Sequence, residues 1–546
     1  MEITVSELIT GFMERLGVAC IFGMPGAHIL PVYDRLHASS IRSVLAKHEQ
    51  GAAFMAGGHA RASGGIGACI ATAGPGATNL VTGIANAWAD RLPVLAITGE
   101  TSTWIFGRGG LQESSGEGGS IDQVALFAPI TRYCRRVERS DYLGNVLGQA
   151  AHALLGEPAG PVLLALPFNV QNERVDAAIL DQIPLRSPPR PPAPDVTLLA
   201  ERLRAAKNPV ILAGHGCVRA GAGEELQRLA TRWAIPVATS LKAKGLIDEG
   251  SPLALGTLGV TSSGHAYQYI LDHADLILIL GASFNERTSY LWDAGLIAGK
   301  TTLQIDRDPA QLNKTFTADL ALQGDLKAVL AALNAHLERT PLLAGPGRAD
   351  PANSAVGRDY GLFQSGFALI ERFFRSLGER VPDASVFDDN IIFAQNFLRA
   401  GPGLAYHPNS GISSLGHAIP AAIGARAAQA RPTFAVLGDG GFQMCGMELM
   451  TAVSHRLPIN VVLFNNGSLG LIRKNQHQHY GRRFIACDFV NPDFEMLARS
   501  FGIRHKRIEN EADIDALFDR FDLAHDINLI EIMIDRDLFP NYSSRR

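Results

Sequence analysis

The sequence reads as three open α/β domains, each built on a parallel sheet, and three observations carry that reading. Short β-branched runs (GACIATA, PVLAIT, PVILAG, LILILGA, FAVLGD and INVVLFN) alternate with Ala-rich stretches of helical length. That is the pattern of buried parallel strands joined by crossover helices. Two spacers divide the chain: residues 184–195, with six prolines in twelve positions, and residues 340–358, rich in Pro, Gly and Ala without apolar periodicity. Proline removes backbone donors and stiffens such segments. Finally, one order of features occurs twice. A small-residue helix (EQGAAFMAGGHARA) precedes a strand, then Gly74-Pro75-Gly76, a helix, Arg91-Leu92-Pro93 and a strand. Another such helix (GHAIPAAIGARAA) precedes a strand, then Gly438-Asp439-Gly440, a helix, Arg456-Leu457-Pro458 and a strand. First glycine to arginine is 17 residues in one and 18 in the other, which suggests two halves of one fold.

The expected domains are residues 1–183, 196–339 and 359–546, each of ordinary domain size. Apolar residues make up 47% and charged residues 19%, enough to bury large cores and too apolar for a disordered chain. A net charge of −4 leaves no basic footprint for nucleic acid. Six cysteines without a CxxC pair argue against zinc and against a disulfide framework, and suit a reducing cytoplasm. The N-terminus lacks a basic start and apolar run, and no stretch reaches 18 apolar residues, so neither a signal peptide nor a membrane span is expected.

The densest chemical signal lies in the third segment. Gly438-Asp439-Gly440 ends one strand and Asn465-Asn466 ends the next, with Asn466 27 residues after Asp439. One strand–helix–strand unit spans that length, so both side chains emerge at the carboxyl edge of the sheet, where ligands bind. A carboxylate plus an amide oxygen suits Mg²⁺ that keeps water and phosphate oxygens in its shell. Glycines let backbone amides approach a diphosphate closely.

These motifs resemble the thiamine-diphosphate-dependent acetolactate synthase, pyruvate decarboxylase and benzaldehyde lyase superfamily, along essentially the whole chain. The resemblance implies a pyrimidine-binding, a central and a diphosphate-binding domain. It implies Asp439, Asn466 and the backbone oxygen of Ser468 as metal ligands. It further assigns Gly438, Gly440, Gly441, Ser468, Leu469, Gly470, Leu471 and Ile472 to the diphosphate side of the cofactor. The first domain would contribute Gly26, Thr72, Gly74 and Asn79.

Glu49 is an acid opening an otherwise small and apolar helix, a placement suited either to proton exchange or to simple interaction with the helix dipole. The resemblance matches Glu49 to the glutamate that hydrogen-bonds the cofactor's aminopyrimidine ring. Leu415, preceded by Ser413 and Ser414, matches the bulky residue that bends the cofactor, although a core leucine fits the composition equally. Gly74-Pro75-Gly76 lacks the third glycine of a dinucleotide fingerprint, and Gly214-His215-Gly216 reads as a plain strand-to-helix turn.

His28 stands in what resembles the entrance loop, where an imidazole could move a proton at the reacting carbon. Three positions depart from branched-chain synthases. The family glutamine before Ile121-Asp122 is missing, with Gln112 upstream of a Gly/Ser/Glu-rich insertion as its substitute. Asn475 replaces a tryptophan, and Ser283 stands where an arginine normally contacts FAD, so FAD is not expected. Arg473-Lys474-Asn475 either face an anion or form a solvated helix face.

The expected activity is that of a cytoplasmic carboligase or decarboxylase acting on a 2-oxo acid and a carbonyl acceptor, with thiamine diphosphate and Mg²⁺, as a homodimer or homotetramer. The alternatives are an aldehyde lyase or ligase without obligatory decarboxylation, a degenerate cofactor-binding protein, and an NAD oxidoreductase.

Overall fold

The computed structural model describes residues 1–185, 192–339, 363 and 365–541. The second spacer lies outside the described residues, as do residues 186–191 of the first. The described residues form three six-stranded sheets, each parallel throughout, and a two-stranded antiparallel pair, Glu2–Thr4 with Arg174–Asp176.

The first sheet runs, edge to edge, Arg42–Leu45, Cys20–Gly23, Gly67–Ala71, Val94–Glu100, Val162–Pro167 and Tyr133–Arg136. The third runs Ala405–Pro408, Ser385–Asp388, Thr433–Gly438, Asn460–Asn465, Asn528–Met533 and Arg504–Ile508. Ranked by chain position, both orders are second, first, third, fourth, sixth, fifth. The repeated order of sequence features is thus a repeated topology. The central sheet differs. Its order is third, second, first, fourth, fifth, sixth, the order of doubly wound dinucleotide-binding sheets.

The first and third domains share one core. The helix Glu49–Ser63 crosses the helix Ala418–Ala428 at backbone contact. A Cβ on Gly58 would lie 2.0 Å from the Ala421 carbonyl oxygen, and one on Gly424 would lie 1.9 Å from the Met55 oxygen. Small residues along both helices make that approach possible, which explains why neither shows an amphipathic stripe. Around the crossing, one cluster of buried apolar residues includes Phe22, Met55 and Leu80 from the first domain and Phe387, Leu437 and Leu463 from the third.

The central domain joins the others partly through charge. Asp90 is fully buried, where desolvation alone would raise its pKa, but Arg61 and Lys242 beside it hold the carboxyl well below the usual range. Arg91 pairs with Asp308 at 2.7 Å. Gly214-His215-Gly216 is the expected strand-to-helix turn, packed on Gly281 so closely that a Cβ on Gly214 would meet the Gly281 oxygen at 2.1 Å. Among the described residues no helix is long and apolar enough to cross a membrane, and the six cysteines are unpaired.

Replacing Gly58 with alanine should destabilise the protein by about 1–3 kcal/mol, the usual scale for overpacking. Gly57→Ala, one residue away with an ordinary 3.6 Å contact to Leu92, should leave the thermal midpoint nearly unchanged. Equal midpoints for the two variants would show that the helix crossing is not the constraint it looks to be.

Candidate active site

Asp439 opens the helix Asp439–Cys445 and is 1% exposed. Its Oδ2 accepts hydrogen bonds from the Asn466 amide at 2.9 Å, the Gly467 amide at 2.6 Å and Asn491 Nδ2 at 2.7 Å. Its Oδ1 accepts the Gly440 amide at 2.9 Å and keeps lone-pair capacity for a cation. Asn466 Oδ1 lies at the same strand end, accepting the Ser468 amide at 3.0 Å. Ser468 in turn is fixed through its hydroxyl to the Cys487 carbonyl at 3.0 Å. Nothing lies within 4 Å of where a Cβ on Gly438 would be, so this strand end opens on free space. One carboxylate, one amide oxygen and one backbone oxygen fit Mg²⁺ rather than a transition metal. Consistently, no group of three His, Cys, Asp or Glu side chains suited to a metal occurs among the described residues.

Asn465 Nδ2 donates to Glu531 at 2.7 Å, and its Oδ1 accepts at 2.8 Å from Asn491 Nδ2, the amide that also donates to Asp439. Burial would raise the Glu531 pKa, but hydrogen bonds from His505, Asn465 and Arg507 outweigh it and hold the carboxyl at about 2. Asn465 thus links the neighbouring strand to the Asp439 cluster through Asn491, while Asn466 caps the Ser468 amide.

Leu415 is 38% exposed, and Leu471 and Ile472 are more so at 52% and 45%. Leu415 is therefore not a core residue. Its loop has Ser413 at φ +57° and is gripped by Asp389, whose carboxylate accepts the Gly416 amide at 2.8 Å and the Ala418 amide at 2.9 Å.

The first domain carries a second cluster. Glu49 is 9% exposed, and its Oε2 accepts Asn79 Nδ2 at 2.9 Å. Gly76 leaves room for it: a Cβ there would lie 3.6 Å from Glu49 Oε1 and 2.9 Å from Thr72 Cγ2. A Cβ on Gly26 would collide with Thr72 at 2.5 Å. Gln112 Oε1 lies 3.3 Å from His28 Nδ1 and 3.4 Å from Thr72 Oγ1, and Gly74, at φ +57°, abuts Gln112. The structure thus brings together Gly26, His28, Thr72, Gly74 and Gln112, with Glu49 and Asn79 one glycine away.

Gln112 is itself at φ +58°. Two buried acids hold its loop in that form. Glu113 accepts the amides of Gly107, Gly109 and Gly110, and Glu100 accepts Ser114 and Gln123. These contacts surround Gln112 where its side chain meets His28.

Neither reading of Arg473 survives. It is 6% exposed, paired with Asp488 and Asp537 at 2.6 Å each, with Phe484 under its guanidinium at 3.8 Å. It faces neither solvent nor a free anion site. Lys474 is also buried, and desolvation lowers its pKa to about 8. Ser283 lines a cavity of about 280 Å³ where the three domains meet, with Asp90 of the first, His215, Arg287 and Asp306 of the central and Gln395 of the third among its other walls. Sequence reasoning missed Asn491, Asp389, Glu100 and Glu113. Each acts on backbone amides or side chains brought near only by the fold, so no local spacing marks it.

Two domains of one topology each present polar groups at the carboxyl edge of a parallel sheet, the edge at which α/β enzymes bind their ligands. Three family models match the chain: the thiamine pyrophosphate enzyme N-terminal TPP-binding domain at residues 3–126, the central domain at 196–333 and the C-terminal TPP-binding domain at 390–532. Similar proteins include a probable acetolactate synthase large subunit of Methanocaldococcus jannaschii, 33% identical over 97% of this chain and 92% of its own length. An acetolactate synthase of Mycobacterium bovis is 33% identical over 98% and 88%. One of Arthrospira platensis is 31% identical over 99% and 96%. The chain belongs to the thiamine pyrophosphate enzyme family.

Burial pushes the Asp389 carboxyl up to about 8, against the hydrogen bonds from Gly416 and Ala418 and with the neighbouring Asp388 adding to the rise. The fold therefore favours the protonated acid. Stability is greatest near the ordinary carboxylate range, falls as pH rises toward about 8, and levels off above it. Melting temperature measured across that interval should decline, with a shallower slope in Asp389→Asn. Identical slopes would remove Asp389 from the titration.

Proposed function

We propose that the chain is a thiamine-diphosphate- and Mg²⁺-dependent carboligase that acts on a 2-oxo acid such as pyruvate and joins it to a second carbonyl, in the manner named for its acetolactate synthase relatives. The observation that carries this reading is the Asp439 carboxylate, fixed by the amides of Asn466 and Gly467 beside an open strand end. Asp439, Asn466 and the Ser468 backbone oxygen would hold the metal. Gly438, Gly440, Gly441 and residues 468–472 would hold the diphosphate. Gly26, Glu49, Thr72, Gly74 and Asn79 would hold the aminopyrimidine ring, with Ser413 and Leu415 supporting the cofactor's bend.

When bound, the cofactor supplies a carbon nucleophile that adds to a carbonyl and takes up the electrons released as a neighbouring bond breaks. The protein's share is positioning and proton control. Glu49 exchanges a proton with the ring nitrogen, its second oxygen tethered by Asn79. The His28 imidazole, oriented by Gln112, is placed to handle a proton on the substrate oxygen. Arg473 is committed to Asp488 and Asp537, so its charge does not hold a substrate carboxylate in place.

One observation supports a second reading, an aldehyde lyase or ligase without obligatory decarboxylation. The His28–Gln112 pair makes this side of the site polar. Product analysis by mass spectrometry separates the two. With thiamine diphosphate and Mg²⁺, the carboligase consumes pyruvate, releases carbon dioxide and yields an acyloin or a 2-acyl-2-hydroxy acid. The lyase instead cleaves or joins aldehydes and leaves pyruvate untouched. No turnover of either substrate class would sink both.

We place each complete site between the first domain of one subunit and the third domain of another, in a dimer or tetramer, as the family resemblance implies. Glu49→Gln should bind cofactor yet turn over about a hundredfold more slowly, and Asp439→Ala should lose thiamine diphosphate binding. Mixed, the two inactive variants should recover part of the wild-type rate, since a hybrid dimer regains one intact site. No recovery despite demonstrated subunit exchange would mean that the site is built within one chain.

A further inference from the structure

Glu448 is a buried carboxylate that the site described above does not use. It belongs to the third domain, in the turn Gly446–Glu448 nine residues beyond Asp439, and is 3% exposed. Its partners lie in the first domain. Oε1 accepts the Lys47 amide at 3.1 Å and the His48 amide at 3.0 Å. Oε2 accepts the Lys47 amide at 3.1 Å and the Thr451 hydroxyl at 2.7 Å. Gly51, two residues into the helix that Glu49 opens, leaves the necessary space: a Cβ there would sit 2.2 Å from Glu448 Oε1. Leu45, two residues before Lys47, is also held by the third domain, where His455 Nε2 accepts its amide at 3.0 Å.

The contact has a counterpart. Asn86, on the first-domain helix Pro75–Ala89, donates to Asn409 Oδ1 at 2.8 Å. Asn409 Nδ2 donates to the Ser414 carbonyl, beside Leu415. Each domain thus reaches from the helix that follows its glycine motif to the loop through which the other presents its cofactor-facing residue. A buried carboxylate is costly unless hydrogen bonds satisfy it, and an apolar residue would fill the space as well. What the carboxyl adds is direction, since its oxygens accept both amides while the Thr451 hydroxyl fixes one of them in place.

We propose that Glu448 is a positioning residue: it fixes the backbone of Lys47 and His48 so that the Glu49 carboxylate stands at Gly76 and Asn79, tying the proton-exchanging acid to the segment that starts at Asp439. The proposal rests on the role of Glu49 given above. A misplacement of about 1 Å at a reacting group costs up to about a hundredfold in rate, so the tether has consequences for turnover without touching the cofactor.

The test uses the full-length protein with Glu448→Ala, Glu448→Gln and Thr451→Val, and Glu49→Gln in parallel. Amide hydrogen exchange of residues 45–50, measured without cofactor, reads the tether itself. Exchange of the thiazolium C2 proton in protein loaded with thiamine diphosphate and Mg²⁺ reads its consequence. Glu448→Ala should speed amide exchange at Lys47 and His48 and slow C2-proton exchange about tenfold or more, while cofactor affinity stays near wild type because the Asp439 cluster is intact. Glu448→Gln should stay close to wild type in both, its oxygen accepting the two amides and its Nε2 donating to Thr451. If Glu448→Ala does not fold, Thr451→Val, which frees one carboxylate oxygen, should show the same direction several-fold. Unchanged C2-proton exchange in the folded alanine or valine variant would overturn the proposal, and so would a glutamine variant as slow as alanine with its amides still protected. Fast exchange in Glu49→Gln would instead overturn the role of Glu49, which distinguishes the two failures.

Discussion

The carbonyl oxygen of Ala421 lies 2.0 Å from where a side chain on Gly58 would begin, and the Met55 carbonyl stands in the same relation to Gly424. Two helices at backbone contact have little freedom to slide or rotate, and both begin at functional loops. The helix Glu49–Ser63 starts at the buried acid, and the helix Ala418–Ala428 starts three residues after Leu415. The crossing that fixes their axes therefore fixes the presentation of Glu49 and Leu415 as well. It also explains why the first and third domains have one apolar core, while the outer face of each sheet keeps its own.

Much of this arrangement was legible in the sequence, because strand runs, glycine motifs and the tandem asparagines are local signals. The repeated feature order became a repeated strand order because the same helix and turn lengths connect the same strands. What stayed hidden shares a physical cause: a side chain that binds distant backbone amides leaves no periodic trace. Asn491 reaches Asp439 across 52 residues, and Glu448 reaches Lys47 across 401. Arg473 shows the converse error. Its charged neighbourhood reads as solvated, yet Asp488, Asp537 and Phe484 cover it. The spacers posed no such problem for the sequence, but the second lies wholly outside the described residues.

The Asp439 cluster divides its labour by atom. Oδ2 is spent on three N–H donors that shape the loop after Asn465, leaving Oδ1 toward the open strand end. A dication held by one carboxylate and two neutral oxygens keeps net positive charge. Such a site is incomplete without an anionic oxygen donor, which is what a diphosphate supplies. A second protein carboxylate would neutralise the ion and weaken that attraction. The lone acid is thus a reason to expect a phosphate-bearing cofactor rather than a self-sufficient metal centre.

On the substrate side the constraint is different. Gln112 presents its amide oxygen to both His28 and Thr72, and one oxygen serving two donors fixes an imidazole only if its own backbone is rigid. Gln112 holds a left-handed backbone that a non-glycine residue adopts at a cost. The loop tolerates it because Glu100 and Glu113 satisfy the amides around it. Those two acids contact only the loop, yet their effect is exerted at His28. The backbone before Glu49 is held in the same way: Glu100 and Glu113 around Gln112, and Glu448 at Lys47 and His48, are buried acids that accept the amides of a loop rather than contacting the side chain it presents.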